Sequence, residues 1–226
     1  MTLVKICGIT EMDHATAALE AGADMLGFVF APSRRQVAPD VARKIIRRCR
    51  DLYPHDRQEW LAVGVFAGPL LSFVHDAAAI CGLDAVQLSG EEPLDFGLKL
   101  SLPVFKVIHV SSTEPPDSAV RFAESLNETL RALRARHPAS RLLLDSAGRG
   151  VWGGTGRSFD WRLVGQTAQD CIVAGGLDPS NVGSAISAMR PWAVDVSSGV
   201  ETDGRKDPDL IRRFISAARR TDKHEN

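Results

Sequence analysis

The chain of 226 residues, 44% hydrophobic and 24% charged, is long enough to bury one large core and is composed like a soluble globular protein. Its formal net charge of −1 argues against nucleic acid or an acidic membrane surface as a partner. No apolar run approaches a membrane span, and Met1–Cys7 does not lead into a signal-peptide core. Four widely spaced cysteines without a C-x-x-C pair argue against a zinc or redox motif and suit a reducing cytoplasm.

The first β-branched run, Val4–Cys7, ends in KICGIT and so leaves a lone thiol at a polar, glycine-bearing turn. A helix follows, with Ala15, Ala18, Leu19 and Gly22 on one face and Thr10 with Asp13 as an N-terminal capping pair. The second strand, Met25–Phe30, leads through Ala31-Pro32-Ser33 to the pair Arg34-Arg35, and a helix carries Val41, Ile45, Ile46 and Cys49. After a polar loop at Asp51–Glu59 come the strand Ala62–Phe66, a helix with Val74, Ala77 and Ala78, and the strands Ala85–Leu88 and Val104–Ile108. A longer helix places Phe122, Ala123, Leu126, Leu130 and Leu133 on one side. The strand Leu142–Asp145 opens into GRGVWGGTG, Cys171–Ala174 into AGGL, and Val194–Ser197 into SSGVE. Asp178-Pro179 and Asp207-Pro208 each resemble an N-cap followed by proline in the first helical turn. Leu210, Ile211, Phe214 and Ile215 form a last apolar stripe before a polar tail from Thr221.

Most of the eight strand candidates are continuous apolar stretches, as expected of strands covered on both faces of a parallel sheet. Eight strand-then-helix units in one chain predict a single-domain (β/α)₈ TIM barrel, a fold that typically takes about 250 residues. A doubly wound open sheet competes, but KICGIT does not supply the G-x-G-x-x-G turn expected after its first strand.

In such a barrel the site lies where the strands end. Strand-end residues are Cys7, Gln87, Lys106, His109, Asp145, Gly175-Gly176 and Ser197-Ser198-Gly199. Cys7 can serve as a base if neighbouring donors or cations favour its thiolate, and Asp145 can serve as its acid counterpart across the mouth. Unpaired cysteines are more often small buried hydrophobes, and aspartates after strands often fix loops. Gly175, Gly176, Ser197, Ser198 and Gly199 fall in the loops after strands seven and eight, where this architecture holds phosphate. Gly154 and Gly156 belong to a glycine-rich loop suited to close approach by a ligand. An arginine of the Arg34-Arg35 pair can grip a carboxylate bidentately. Lys106 raises the alternative of Schiff-base chemistry. His75 and His109 show no metal-ligand spacing.

KICGIT, GFVF, GVF, AVQLSGEE, LLLD, GGTG-x-x-FDW, AGGL-x-P-x-NV and AVDVSSGVE together resemble the phosphoribosylanthranilate isomerase family of tryptophan biosynthesis, over Leu3 to about Phe214. The resemblance implies an Amadori rearrangement of N-(5-phosphoribosyl)anthranilate to 1-(2-carboxyphenylamino)-1-deoxyribulose 5-phosphate. It implies no metal or organic cofactor, Cys7 as general base, Asp145 as general acid and Arg35 on the anthranilate carboxylate. The expected partner is a small phosphorylated substrate, and the family includes monomers and homodimers. Where many members have VQLHGEE, Ser89 stands in place of the histidine. The segment Ser111–Ser140 is longer than usual and lengthens the fifth helix. Alternatives are another phosphosugar barrel, either an epimerase or a lysine-dependent aldolase, and a catalytically silent phosphate-binding scaffold.

Overall fold

The computed structural model describes residues 1–54, 59–110, 116–146 and 169–224. Within them eight parallel strands pair in chain order and close on themselves. They are β1 (Leu3–Cys7), β2 (Met25–Val29), β3 (Leu61–Phe66), β4 (Ala85–Leu88), β5 (Val104–Val110), β6 (Arg141–Ser146), β7 (Cys171–Ala174) and β8 (Ala193–Val196). The seam is made by β1 on β8, with Lys5 level with Asp195. Closure leaves none of the eight barrel strands with a free edge.

The helices are α1 (Met12–Glu20), α2 (Pro39–Leu52), α3 (Leu71–Cys81), α4 (Leu94–Leu98), α5 (Pro116–Arg136), α6 (Val182–Met189) and α7 (Pro208–His224). A one-turn 3₁₀ helix (Ser198–Val200) and a small hairpin of β9 (Glu201–Thr202) and β10 (Arg205–Lys206) follow β8. The strands fall within two residues of the sequence-based bounds, and α5 is the long fifth helix expected, at 21 residues.

Period-two alternation divides every strand between two cores. Val4, Ile6, Leu26, Phe28, Val86, Leu142, Leu144, Val173 and Val194 face outward and are sealed by the helices. Met25, Val63, Ala85, Phe105, Val107, Leu143, Ile172 and Ala193 fill the interior, closed at the strand starts by Leu3, Leu61 and Trp192. Because both faces are buried, the strands appear in the sequence as unbroken apolar runs.

Most of the expected apolar stripes are buried among the described residues; Ala78 is only half-buried, and the side chains of Phe122 and Ala123 lie outside the described ones. On α2 the buried set is Ala42, Ile45, Ile46 and Cys49, whereas Val41 is exposed. Two other local expectations change. Thr10 and Asp13 do not cap α1, whose N-cap is Glu11 without a side-chain cap bond. Asp178 caps a lead-in turn, accepting from the N–H of Ser180 at 2.7 Å and of Asn181 at 3.2 Å, and α6 starts only at Val182. At α7 the expected device is present: Asp207 accepts from the N–H of Asp209 at 2.8 Å with Pro208 in the first turn, and the helix continues through the polar tail to His224.

A repeated ion-pair clamp ties the helices to the strand starts. Asp24 accepts from the Val4 N–H at 2.6 Å, and Arg219 of α7 pairs with it while donating to the Thr2 carbonyl at 2.7 Å. Asp84 accepts from the Ala62 N–H at 2.7 Å and pairs with Arg50 of α2 at 3.0 Å. Each carboxylate thus satisfies a strand donor that would otherwise end unpaired, and each arginine docks a helix.

Candidate active site

Polar side chains gather toward the C-terminal ends of the strands, above the apolar layers at the strand starts. Cys7, Asp145 and His109 occupy inward positions at the mouth, set by the same alternation that points Phe105, Val107 and Leu143 inward below them. Cys7 packs with Val29 and Val65. Asp145 stands on β6, its side chain 38% exposed, with its Oδ2 4.0 Å from Nδ1 of His109.

The environment pushes both groups toward their protonated forms. Burial is the largest influence on Cys7 and raises its pKa; the Lys5 ammonium pulls it back, Asp195 adds to the rise, and Lys206 opposes it. Burial likewise raises Asp145, helped by the charge of Asp195 and opposed by His109. The direction for Asp145 is the one a proton donor needs. Cys7 differs from the sequence-based condition that its surroundings favour the thiolate: the cations are present, but desolvation outweighs them.

The loops after β7 and β8 press together. A Cβ on Gly199 would stand 1.9 Å from the Leu177 carbonyl oxygen, so only glycine allows this approach. Gly175 and Gly176 both take positive φ, 91° and 64°, which turns the first of these loops sharply at its strand end. Gly176 and Ser198, one in each of these loops, are both exposed. Ser197 has a different task from its neighbours: its hydroxyl donates to the Cys7 carbonyl at 3.1 Å and binds the β8 loop to the end of β1. Gly154 and Gly156 lie outside the described residues.

The two arginines after β2 separate clearly. Arg35 is 23% exposed and donates through Nε and Nη2 to the Glu201 carboxylate at 2.6 and 2.9 Å. Its stem lies over Gly8, where a Cβ would come within 2.7 Å of the Arg35 Cδ. Arg34 reaches the same carboxylate at 2.6 Å but from the rim, 57% exposed. Arg35 is therefore the arginine next to the thiol.

Glu201 was not among the residues singled out from sequence, yet it joins the site together. Besides both arginines it takes Lys206 at 2.7 Å, and Lys206 in turn donates to the Ser197 carbonyl at 2.9 Å. Burial works against its charge, but the hydrogen bonds from Arg35 and Lys206 hold its pKa down at about 2. A carboxylate depressed in the folded state stabilises the fold above its ordinary pKa and ceases to do so as pH falls through the folded value. Glu201→Gln should therefore cost stability on the order of 3 kcal/mol at neutral pH, shrinking between about pH 5 and pH 2, as read from urea midpoints across that range.

Lys5 and Asp195 were also missed. The signal is present in the chain: Lys5, like Lys106, is a lysine within an apolar strand. Lys106 belongs to the outward series of β5 with Val104 and Ile108, and donates to the Gly90 carbonyl at 2.7 Å and to Glu92 at 3.1 Å. It clamps the β4 loop outside the barrel, which removes the geometric basis for an aldolase lysine. Ser89 accepts from the Gln87 amide at 3.1 Å and so fixes that loop without an imidazole.

Comparison with known proteins gives the same picture. The family model described as N-(5'phosphoribosyl)anthranilate (PRA) isomerase matches residues 4–217. An N-(5'-phosphoribosyl)anthranilate isomerase of Desulforudis audaxviator is 48% identical over 221 residues, 97% of this chain and 98% of that one. The crystal structure of phosphoribosyl anthranilate isomerase from Thermotoga maritima has a TM-score of 0.75 at 38% identity, covering 97% of this chain and 99% of its own. A phosphoribosyl anthranilate isomerase solved in complex with reduced 1-(o-carboxyphenylamino)-1-deoxyribulose 5-phosphate has a TM-score of 0.74 at 37% identity, with 97% and 99% coverage. Sequence and closed barrel agree over nearly the whole length with known members, and the chain belongs to the N-(5'-phosphoribosyl)anthranilate isomerase family.

Proposed function

We propose that this chain converts N-(5-phosphoribosyl)anthranilate to 1-(2-carboxyphenylamino)-1-deoxyribulose 5-phosphate in tryptophan biosynthesis, with Asp145 as general acid and Cys7 as general base. Family membership supports the reaction. The observation that supports the residue roles is the placement of these two groups at inward strand ends of one barrel mouth, with Asp145 held toward its protonated form.

Asp145 gives its proton to the furanose ring oxygen as the bond from that oxygen to C1 breaks. The anthranilate nitrogen supplies its lone pair to C1, leaving an open-chain imine. The Cys7 thiolate then takes the proton from C2, the C2 electrons form the C1–C2 double bond and the C1–N π pair returns to nitrogen; the resulting enolamine gains a proton at C1 while its enol hydroxyl loses one, giving the ketone. General acid and base groups each contribute roughly 10²–10⁴-fold in such transfers.

The ribose phosphate has a natural seat in the abutting loops at Gly175-Gly176 and Ser198-Gly199, where small residues let backbone donors approach. The relative solved with a deoxyribulose 5-phosphate compound supports a phosphorylated small molecule as the ligand class. Arg35 is our choice for the anthranilate carboxylate, since its guanidinium is fixed beside the thiol by Glu201. Four buried cysteines, none of them in a disulfide, suit work in the reducing cytoplasm.

The test is the decay of anthranilate fluorescence when enzymatically generated phosphoribosylanthranilate meets the purified protein. Turnover with kcat in the usual enzyme range of about 1–10³ s⁻¹ is expected. A protein that binds a phosphorylated product analogue but leaves the fluorescence unchanged would turn the reading to a silent scaffold.

A further inference from the structure

Two residues below Cys7 on the same inward face of β1, Lys5 is 0% exposed in a layer otherwise filled by side chains such as Met25, Val63 and Ala85. An ammonium is costly to desolvate, and an apolar side chain of similar length would fill this layer without that cost. Its carboxylate partner is Asp195 of β8, buried at the same level across the seam, with Oδ1 2.9 Å from Nζ.

Gly27 on β2 shows where that charge is directed. A Cβ at Gly27 would lie 2.9 Å from the Cys7 sulfur and 3.1 Å from the Lys5 Nζ. Sulfur and ammonium therefore converge on the space that the glycine leaves open. Asp195 holds the same ammonium at 2.9 Å, so one lysine is shared between the carboxylate and the neighbourhood of the sulfur.

We propose that Lys5 is a positioning residue for the isomerisation: pinned by Asp195, its ammonium stabilises the Cys7 thiolate each time it forms in turnover and so offsets part of the cost of burying that charge. The catalytic part of this proposal rests on the reading of Cys7 as the base. Other charges acting on Cys7 are Asp195 from β8 and Lys206 from β10, while Arg35 after β2 senses the Cys7 charge in return. Lys206 and Arg35 are both committed to Glu201. Among the cations acting on Cys7, Lys5 exerts the strongest pull toward the thiolate, and burial is what it works against.

The test is the pH dependence of Cys7 alkylation by iodoacetamide, resolved by peptide mass mapping, in the wild type, Lys5→Met and Lys5→Met/Asp195→Asn. The double variant leaves no unpaired buried charge and guards against loss of fold. Cys49 and Cys171, pushed up to about 11 and about 12 by burial, stay silent near neutrality. Expected is an upward move of the Cys7 midpoint by about one pH unit or more, with about tenfold less thiolate and a matching fall in kcat at pH 7. KM should change less than twofold, because Lys5 does not touch substrate.

A fall in kcat with an unmoved midpoint would reduce Lys5 to a packing role and overturn the proposal. Should neither variant fold, the Lys5 ammonium NMR signal of the unaltered protein decides: it must shift as Cys7 ionises, and indifference overturns the proposal. If Cys7→Ser keeps full activity, the base reading fails and the catalytic role of Lys5 with it, whereas the alkylation midpoint still reports the Lys5–sulfur contact by itself.

Discussion

Asp145→Asn is expected to lower kcat by roughly 10²–10⁴-fold while leaving the fold intact. The amide is nearly isosteric with the acid, and the carboxyl is half-exposed at the mouth with His109 4.0 Å away, so little packing is lost. What is lost is a transferable proton. Burial and the charge of Asp195 hold that proton on Asp145 to higher pH than on an ordinary carboxylate. The sign follows: with the acid gone, residual activity should depend on the thiolate alone and rise with pH up to the Cys7 midpoint. Wild type should instead give a bell, because both groups must be in their working forms. A bell-shaped profile surviving in Asp145→Asn would remove it from the mechanism. Fluorescence decay at a series of pH values, with circular dichroism to check folding, makes the measurement.

The second large effect is at the opposite side of the mouth. Cys7→Ser should also lower kcat by roughly 10²–10⁴-fold, since a hydroxyl beside the same ammonium is a far weaker acid than a thiol and presents almost no anion. Residual activity should now fall as pH rises, because only the acid form of Asp145 matters once the thiol is gone. Opposite slopes in the two variants separate the roles, which a simple loss of activity in each would not do. Serine is smaller than cysteine, and Gly27 already leaves space at this point, so the substitution introduces no clash. Thermal melting close to wild type is expected. Retention of kcat in Cys7→Ser would move the base elsewhere on the rim, with His109 the first residue to test.

Much of this was legible in the chain. Eight short apolar runs gave the strands because burial on both faces removes polar alternation, and the order of runs and helices gave the barrel. Cys7 and Asp145 could be named because barrel chemistry sits at strand ends: Cys7 is the last residue of β1 and Asp145 the last but one of β6. Helix starts were less legible. Glu11 rather than Thr10 stands at the α1 N-cap, and Asp178 caps a turn ahead of α6, because a capping side chain does not say how many residues intervene before the helical turns begin.

By itself the sequence determined the fold and the two proposed proton-transfer residues, since both depend on local period and on position along one strand. It did not determine which charges meet. Lys5 and Asp195 are 190 positions apart, and Arg35 and Glu201 are 166 apart. They become neighbours only because β8 closes on β1 and brings its following loop over the end of the first strand. Lys5 and Lys106 look alike in the sequence, each a lysine in an apolar strand. Phase in the two-residue alternation sends the first to the thiol inside the barrel and the second to Glu92 outside it, and only the pairing of the whole sheet fixes that phase.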